Sequence, residues 1–252
     1  MRFDLITLFP GVVGEFARLG VTGEACRRGR LALRAHDLRD YAGPGRRPDD
    51  SPYGGGAGML LQAEPVAAAV EAAQARRDAT AEPADDLRRP VLALGPQGAP
   101  FTQADAEALC ERGGAVIVCG RYEGLDERAH EAVVDAEYSL GDFILSGAEL
   151  PALCIVDACA RLLPGVLGAQ DALDSESFVD DSLEFPQYTR PSQWRGHPVP
   201  AVLLSGDHAA IARWRRQQAL GRTFLRRPDL LDEVTLSEDD RALLRAFLES
   251  KS

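Results

Sequence analysis

The first two-thirds of this sequence predict an α/β fold, a parallel sheet with helices on both faces, and the last third predicts a small α-helical domain. Two patterns carry the first expectation. Short apolar runs alternate with stretches of helical period, and strands separated by helices pair in parallel. Those runs are nearly continuous in apolar residues, as strands covered on both faces are. The second domain is suggested by an acidic, apolar-poor segment followed by two further helical patterns. At 252 residues and 45% hydrophobic, the chain can bury a proper core, in one large domain or two unequal ones.

Strands are expected over 3–9, 31–38, 91–94 and 115–119, where FDLITLF, LALRAHDL, VLAL and AVIVC are rich in branched apolar side chains. A helix is expected over 65–75, and another over 103–111 with Thr102 as its N-cap. A third, over 150–163, lines up Leu153, Val156, Ala160 and Leu163 on one stripe, and Pro164 with Gly165 ends it. Residues 78–89 read as a polar surface excursion. From 169 to 186 the chain turns acidic, with Asp171, Asp174, Glu176, Asp180, Asp181 and Glu184, which is linker composition. Helices are expected again over 207–220 and 237–248. The division is therefore 1–168 for the α/β domain, 169–187 for a flexible acidic linker and 188–252 for the helical domain.

Charge and cysteine content exclude several classes. The net charge of -11 argues globally against a nucleic-acid partner, but its distribution does not. Between 188 and 228 stand Arg190, Arg195, Arg213, Arg215, Arg216, Arg222, Arg226 and Arg227 against a single acid, Asp207. Lys251 is the only lysine, so arginine type alone marks no phosphate ligand. Cys26, Cys110, Cys119, Cys154 and Cys159 are odd in number and form no CxxC pair, which suggests neither a disulfide framework nor a zinc cluster and fits a reduced cytosol. The opening MRFDLITLFPGVV is too polar for a signal peptide, and no uncharged apolar run is long enough for a membrane span.

Glycine turns mark the candidate site. LGPQG at 94–98 and CGRYEG at 119–124 each follow a strand, and LGDFILSG stands at 140–147. Turns at the carboxyl ends of adjacent parallel strands are where an open sheet places its ligand, so a cofactor cleft is expected there. SPYGGGAGML at 51–60 fits a ligand-approaching or a flexible surface loop equally. It is no dinucleotide fingerprint, because no strand leads into it, and no lysine follows a glycine loop to make a P-loop. His36, His130, His197 and His208 lie near no nucleophile pattern, so a triad hydrolase is unsupported. Residues 141–168 bring Asp142, Glu149, Asp157 and Arg161 into an apolar stretch, which packing alone does not explain. Locally, Ser146 with Glu149 fits a capping box, and Asp157 with Arg161 fits an i, i+4 ion pair. Trp214 beside Arg213, Arg216 and Arg222 suits either a nucleic-acid backbone or the core.

DSPYGGGAGM, CGRYEGLDER, GDFILSGAELP, DACARLLPGVLG, then YTRP at 188–191 and VLLSGDH at 202–208, occur in an order and spacing that resembles the bacterial tRNA (guanine-N1-)-methyltransferases, knotted enzymes of the SPOUT superfamily. The likeness runs from the first strand to about residue 228. It implies a parallel α/β domain with a deep C-terminal trefoil knot, an exception to unthreaded connections. It further implies S-adenosylmethionine held by Leu94, Gly95, Pro96, Gln97 and Gly98, by Gly120, Tyr122 and Glu123, and by Leu140, Gly141, Asp142, Phe143, Ile144, Leu145 and Gly147. The resemblance implies a cytoplasmic homodimer with its active site at the subunit interface. It implies that the substrate is tRNA, methylated on N1 of the guanosine 3′ of the anticodon, position 37. Glu176 in DSESF aligns with the general base and Arg161 with the cation that offsets developing charge; Asp174 and Asp180 lie in the same acidic run. Departures are Glu176 where relatives commonly carry Asp, Gly95 for Ser, Ala148 for Gly, and GPGRRP at 43–48 for a His-containing stretch. A ribose-directed knotted methyltransferase and a non-catalytic RNA-binding protein are the alternative readings.

Overall fold

In a computed structural model, residues 1–75, 88–167, 176–232 and 236–251 are described. The alanine-rich run beyond 75, most of the polar excursion, and Asp171 and Asp174 of the acidic segment lie outside them. Two compact units divide the chain, Met1–Gly168 and Ala169–Ser252.

The first unit opens with β1 (Arg2–Thr7), α1 (Pro10–Phe16), α2 (Gly20–Arg27) and β2 (Ala32–Asp37), then a 3₁₀ turn (Leu38–Tyr41). A small antiparallel pair follows, β3 (Asp49–Asp50) and β4 (Leu60–Leu61), then α3 (Ala63–Ala75). β5 (Val91–Pro100), α4 (Gln103–Glu111), β6 (Gly114–Val118), α5 (Glu127–Val133), β7 (Ala136–Ser139) and α6 (Glu149–Leu162) complete it. The sheet order is β2-β1-β6-β5-β7, and every pairing is parallel. Alternation along the strands sends side chains to two separate cores. Phe3, Leu5, Ala115 and Ile117 pack with α4 and α6, whereas Ile6, Val116 and Val118 pack with α3 and α5. Helices thus cover both faces, as the continuous apolar runs require.

The expected strands and helices recur with ends moved by a few residues. Thr102 caps α4 as expected, in a capping box closed by Asp105. In the first unit α1, α2, α5, β7 and the short β3–β4 pair have no clear signature in the sequence. α1 and α2 carry glycines that dilute the helical period, and β7, AEYS, is a short half-buried edge strand with no apolar run.

Not every buried position is apolar. Asp4 in β1 is fully buried, accepting from Arg2 Nη2 at 3.0 Å and His36 Nε2 at 2.8 Å, with Arg89 on its other oxygen. Tyr41 Oη lies 3.0 Å from His36 Nδ1, and both arginines also donate to the Ala73 carbonyl near the C-terminus of α3. Cations there offset the helix dipole.

The second unit holds a two-stranded hairpin, β8 (Gln193–Trp194) and β9 (His197–Pro198), then α7 (His208–Arg226), α8 (Pro228–Asp232) and α9 (Glu238–Glu249). Asp207 and Ser237 cap α7 and α9. Residues 176–187, part of the stretch expected as a linker, bond to this unit. Leu183 N donates to Thr223 Oγ1 at 2.9 Å, Glu184 N to Ser177 Oγ at 3.0 Å, and Asp180 pairs with Arg216. Linker composition is an incomplete guide here, because two of these groups find fixed partners on α7.

Candidate active site

A cavity of about 470 Å³ opens at the carboxyl ends of β5, β6 and β7. Three loops wall it. The first is a bulge within β5: Leu94 and Ala99 both register with Tyr138 of β7, so residues 95–98 are extruded toward the cavity. Gly98 makes this possible, since a Cβ there would run into the Tyr138 backbone.

The second loop, 120–125, follows β6. Tyr122 adopts φ 59°, a left-handed conformation uncommon for a large side chain, and a Gly124 N to Arg121 O bond of 3.0 Å closes the turn. The glycine loop expected at 51–60 lies against it: Glu123 N donates to Met59 O at 3.1 Å and Leu61 N to Gly124 O at 3.0 Å. Gly58 leaves room for the Glu123 side chain, 2.6 Å from where a Cβ would stand.

The third loop, 139–148, is tied to the second. Ala148 N donates to Gly120 O at 3.0 Å, and Arg121 bridges to Gly147. The Arg121 guanidinium reaches Glu149 Oε2 at 2.9 Å from Nε and 2.8 Å from Nη2, donates to Ser146 O at 3.1 Å, and sits 4.3 Å over the Phe9 ring. Glu149 is only 2% exposed, and its Oε1 accepts from Thr7 Oγ1 at 2.7 Å. The capping-box expectation for Ser146 and Glu149 is therefore overturned. Ala148 is the N-cap of α6 and makes no side-chain cap bond, because a buried carboxylate is satisfied better by a guanidinium and a hydroxyl than by helix amides. Burial, with Glu149 nearby, also pushes the Cys119 thiol well up.

Most residues expected to hold a cofactor line this cavity, from Leu94 to Gln97, Gly120 to Glu123 and Leu140 to Gly147. Gly98 and Asp142 do not. Gly98 is turned to the β7 backbone, and Asp142 is exposed outside the lining. Arg121, Glu137, His130 and Ser139 line it without having been expected. For Arg121 a signal existed, because a carboxylate opening an apolar helix needs a cation and Arg121 stands in CGRYEG. Arg161 is half-buried in the last turn of α6, and Asp157 accepts from Thr22 Oγ1 at 3.1 Å. Glu176 is half-buried in the second unit. Neither Arg161 nor Glu176 is part of the cavity lining.

In the second unit, Arg222 and Arg226 line a second cavity, of about 350 Å³, with Phe185 and Gln187. Arg215 lies 4.8 Å over the Phe185 ring. Arg216 is committed elsewhere, to Asp240 at 2.9 and 3.0 Å and to Asp180, and Arg227 pairs with Asp229. Trp214 is half-buried, 6.4 Å from the Tyr188 ring. Among the described residues no group of His, Cys, Asp and Glu could hold a metal ion, and no helix is long and apolar enough to cross a membrane.

The family model described as tRNA (Guanine-1)-methyltransferase TrmD matches residues 1–233. The chain belongs to that family. A TrmD-family relative from Syntrophotalea carbinolica, named tRNA (guanine-N(1)-)-methyltransferase, is 51% identical over 97% of this chain and 96% of its own length. One of the same name from Geobacter metallireducens is 44% identical over all of both chains. A third, from Myxococcus xanthus, is 51% identical over 96% of this chain and 94% of its own. Membership of the TrmD family therefore extends over both units.

Proposed function

We propose that this chain methylates N1 of the guanosine 3′ of the anticodon, position 37 of tRNA, using S-adenosylmethionine. The observation that carries the reading is the three-loop cavity, whose lining coincides with the segments the family resemblance points to. Its size lies in the range of small-molecule sites, roughly 300–1,000 Å³. Its chemistry fits the donor. Leu94, Leu140 and Pro151 offer apolar surface to a flat base, and Glu123, Glu127 and Glu137 offer negative charge to a cation.

Bound there, the cofactor supplies a methyl group on a positively charged sulfur. The residues of this chain supply the rest. Guanine N1 carries a proton and is a poor nucleophile until it leaves, so Glu176 takes that proton as general base. Arg161 offsets the negative charge that then develops at the guanine carbonyl oxygen. A base flipped out of the anticodon loop presents the edge that both groups address. In this reading the cavity loops belong to a trefoil-knotted backbone, the helical unit grips the tRNA, and two subunits in the cytoplasm assemble each site.

Labelled methyl transfer to tRNA transcripts tests the reading. A transcript with guanosine at position 37 should accept the label as N1-methylguanosine, and one with adenosine there should not. Glu176→Gln should lower kcat by ~100-fold or more while leaving donor affinity unchanged. Ribose-methylated product, or undiminished turnover by Glu176→Gln, would overturn it.

A further inference from the structure

Glu137 is the least exposed of the carboxylates lining the cavity. Its neighbours in β7, Ala136 and Tyr138, pack toward the core beneath α4 and α6, so alternation turns Glu137 to the α5 side. There its Oε2 stands 3.3 Å from His130 Nε2 of α5. Its other oxygen occupies the space that a side chain at residue 95 would take, directly over the Gly95 backbone. The Glu137 side chain is 25% exposed, whereas Glu123 and Glu127 are open to solvent. Arg121, a cation on the wall, is already neutralised by Glu149.

A carboxylate withdrawn from solvent acts on a ligand through a lower effective dielectric than one at the rim, and salt screens it less. Of the carboxylates in the lining, Glu137 is therefore the one placed to act most strongly on a positive charge held inside the cavity. We propose that Glu137, flanked by His130 and admitted by Gly95, is the charge-selecting residue of the donor cavity. It favours the sulfonium of the methyl donor over the neutral thioether that remains after transfer, so that binding and product release are graded by one charge. The inference rests on the S-adenosylmethionine reading above. It also gives Gly95 a role, since any side chain there meets the Glu137 carboxylate.

Isothermal titration of wild type, Glu137→Gln and Gly95→Ser tests it with three probes: S-adenosylmethionine, S-adenosylhomocysteine and sinefungin, which carries an amine in place of the methylsulfonium. Both variants should lose roughly three- to tenfold in affinity for the two cationic probes, the scale of one partly screened charge interaction, and less than about twofold for S-adenosylhomocysteine. Thermal melts establish that each variant is folded, and Gly95→Ser carries the test if Glu137→Gln is not. Equal weakening of all three probes would overturn the proposal by showing a merely structural role, and an unchanged ratio would overturn it by showing that the carboxylate does not face the charge. Wild type that binds none of the probes would instead sink the donor reading itself.

Discussion

Asp4 is fully buried, with His36, Arg2 and Arg89 on its carboxylate and Tyr41 behind His36. Burial by itself would raise its carboxyl, but bonds from His36, Arg2 and Arg89 outweigh burial and hold it well below the usual carboxylate range. A folded-state pKa lowered in this way adds stability that is fully present above the unfolded value near 4 and lost as pH falls toward the folded value. Asp4→Asn should therefore lower stability at neutral pH by about 3–5 kcal/mol, since it leaves buried arginines uncompensated. Urea melts from pH 6 to pH 2.5 check the sign, because the variant should lose the acid-dependent share of stability that wild type shows. A wild-type stability curve no steeper in acid than that of the variant would contradict it. None of this cluster is legible in sequence, where Asp4 serves only to disqualify a signal peptide. Glu149 differs, since its charge in an apolar stretch is visible, but its partners Thr7 and Arg121 lie far away in the chain.

Among the elements, β5 carries the most consequence. Its expected run, 91–94, stops where the extrusion begins, and the strand resumes only because Leu94 and Ala99 share one partner on β7. Gly98→Ala should cost about 1–3 kcal/mol by forcing the two backbones apart, and it should weaken donor binding. Gly14→Ala in α1 is the contrast, because nothing stands near a Cβ there and its φ is ordinary, so it should be neutral or raise the melting temperature. Calorimetry of the pair separates a crowded glycine from a merely flexible one. On α7 the arginines divide similarly. Arg216, held by Asp240 and Asp180, braces the second unit, whereas Arg222 and Arg226 line an accessible cavity. Charge reversal at Arg216 should lower the melting temperature of that unit. Reversal at Arg222 and Arg226 should leave it nearly unchanged and flatten the salt dependence of tRNA binding, by a log–log slope of roughly 1 for each phosphate no longer neutralised. An unaltered slope would place the phosphate-binding surface on another face.

At the scale of the whole molecule, the sequence by itself determined the α/β class, the parallel sheet, four of the five strands of that sheet, the longer helices, the glycine turns of the cavity and, through its motifs, the family. These follow from periodicity, local turn chemistry and fixed spacing, which act between neighbours in the chain. Only the tertiary structure decided which side chains meet across it: Glu149 with Thr7 and Arg121, Glu137 with His130 over Gly95, Asp4 with His36 and Arg89, and Asp180 with Arg216. The reason is physical. A buried charge must be matched wherever the fold happens to bring an opposite one, and that pairing depends on sheet order and strand register, neither of which has a local signature in sequence.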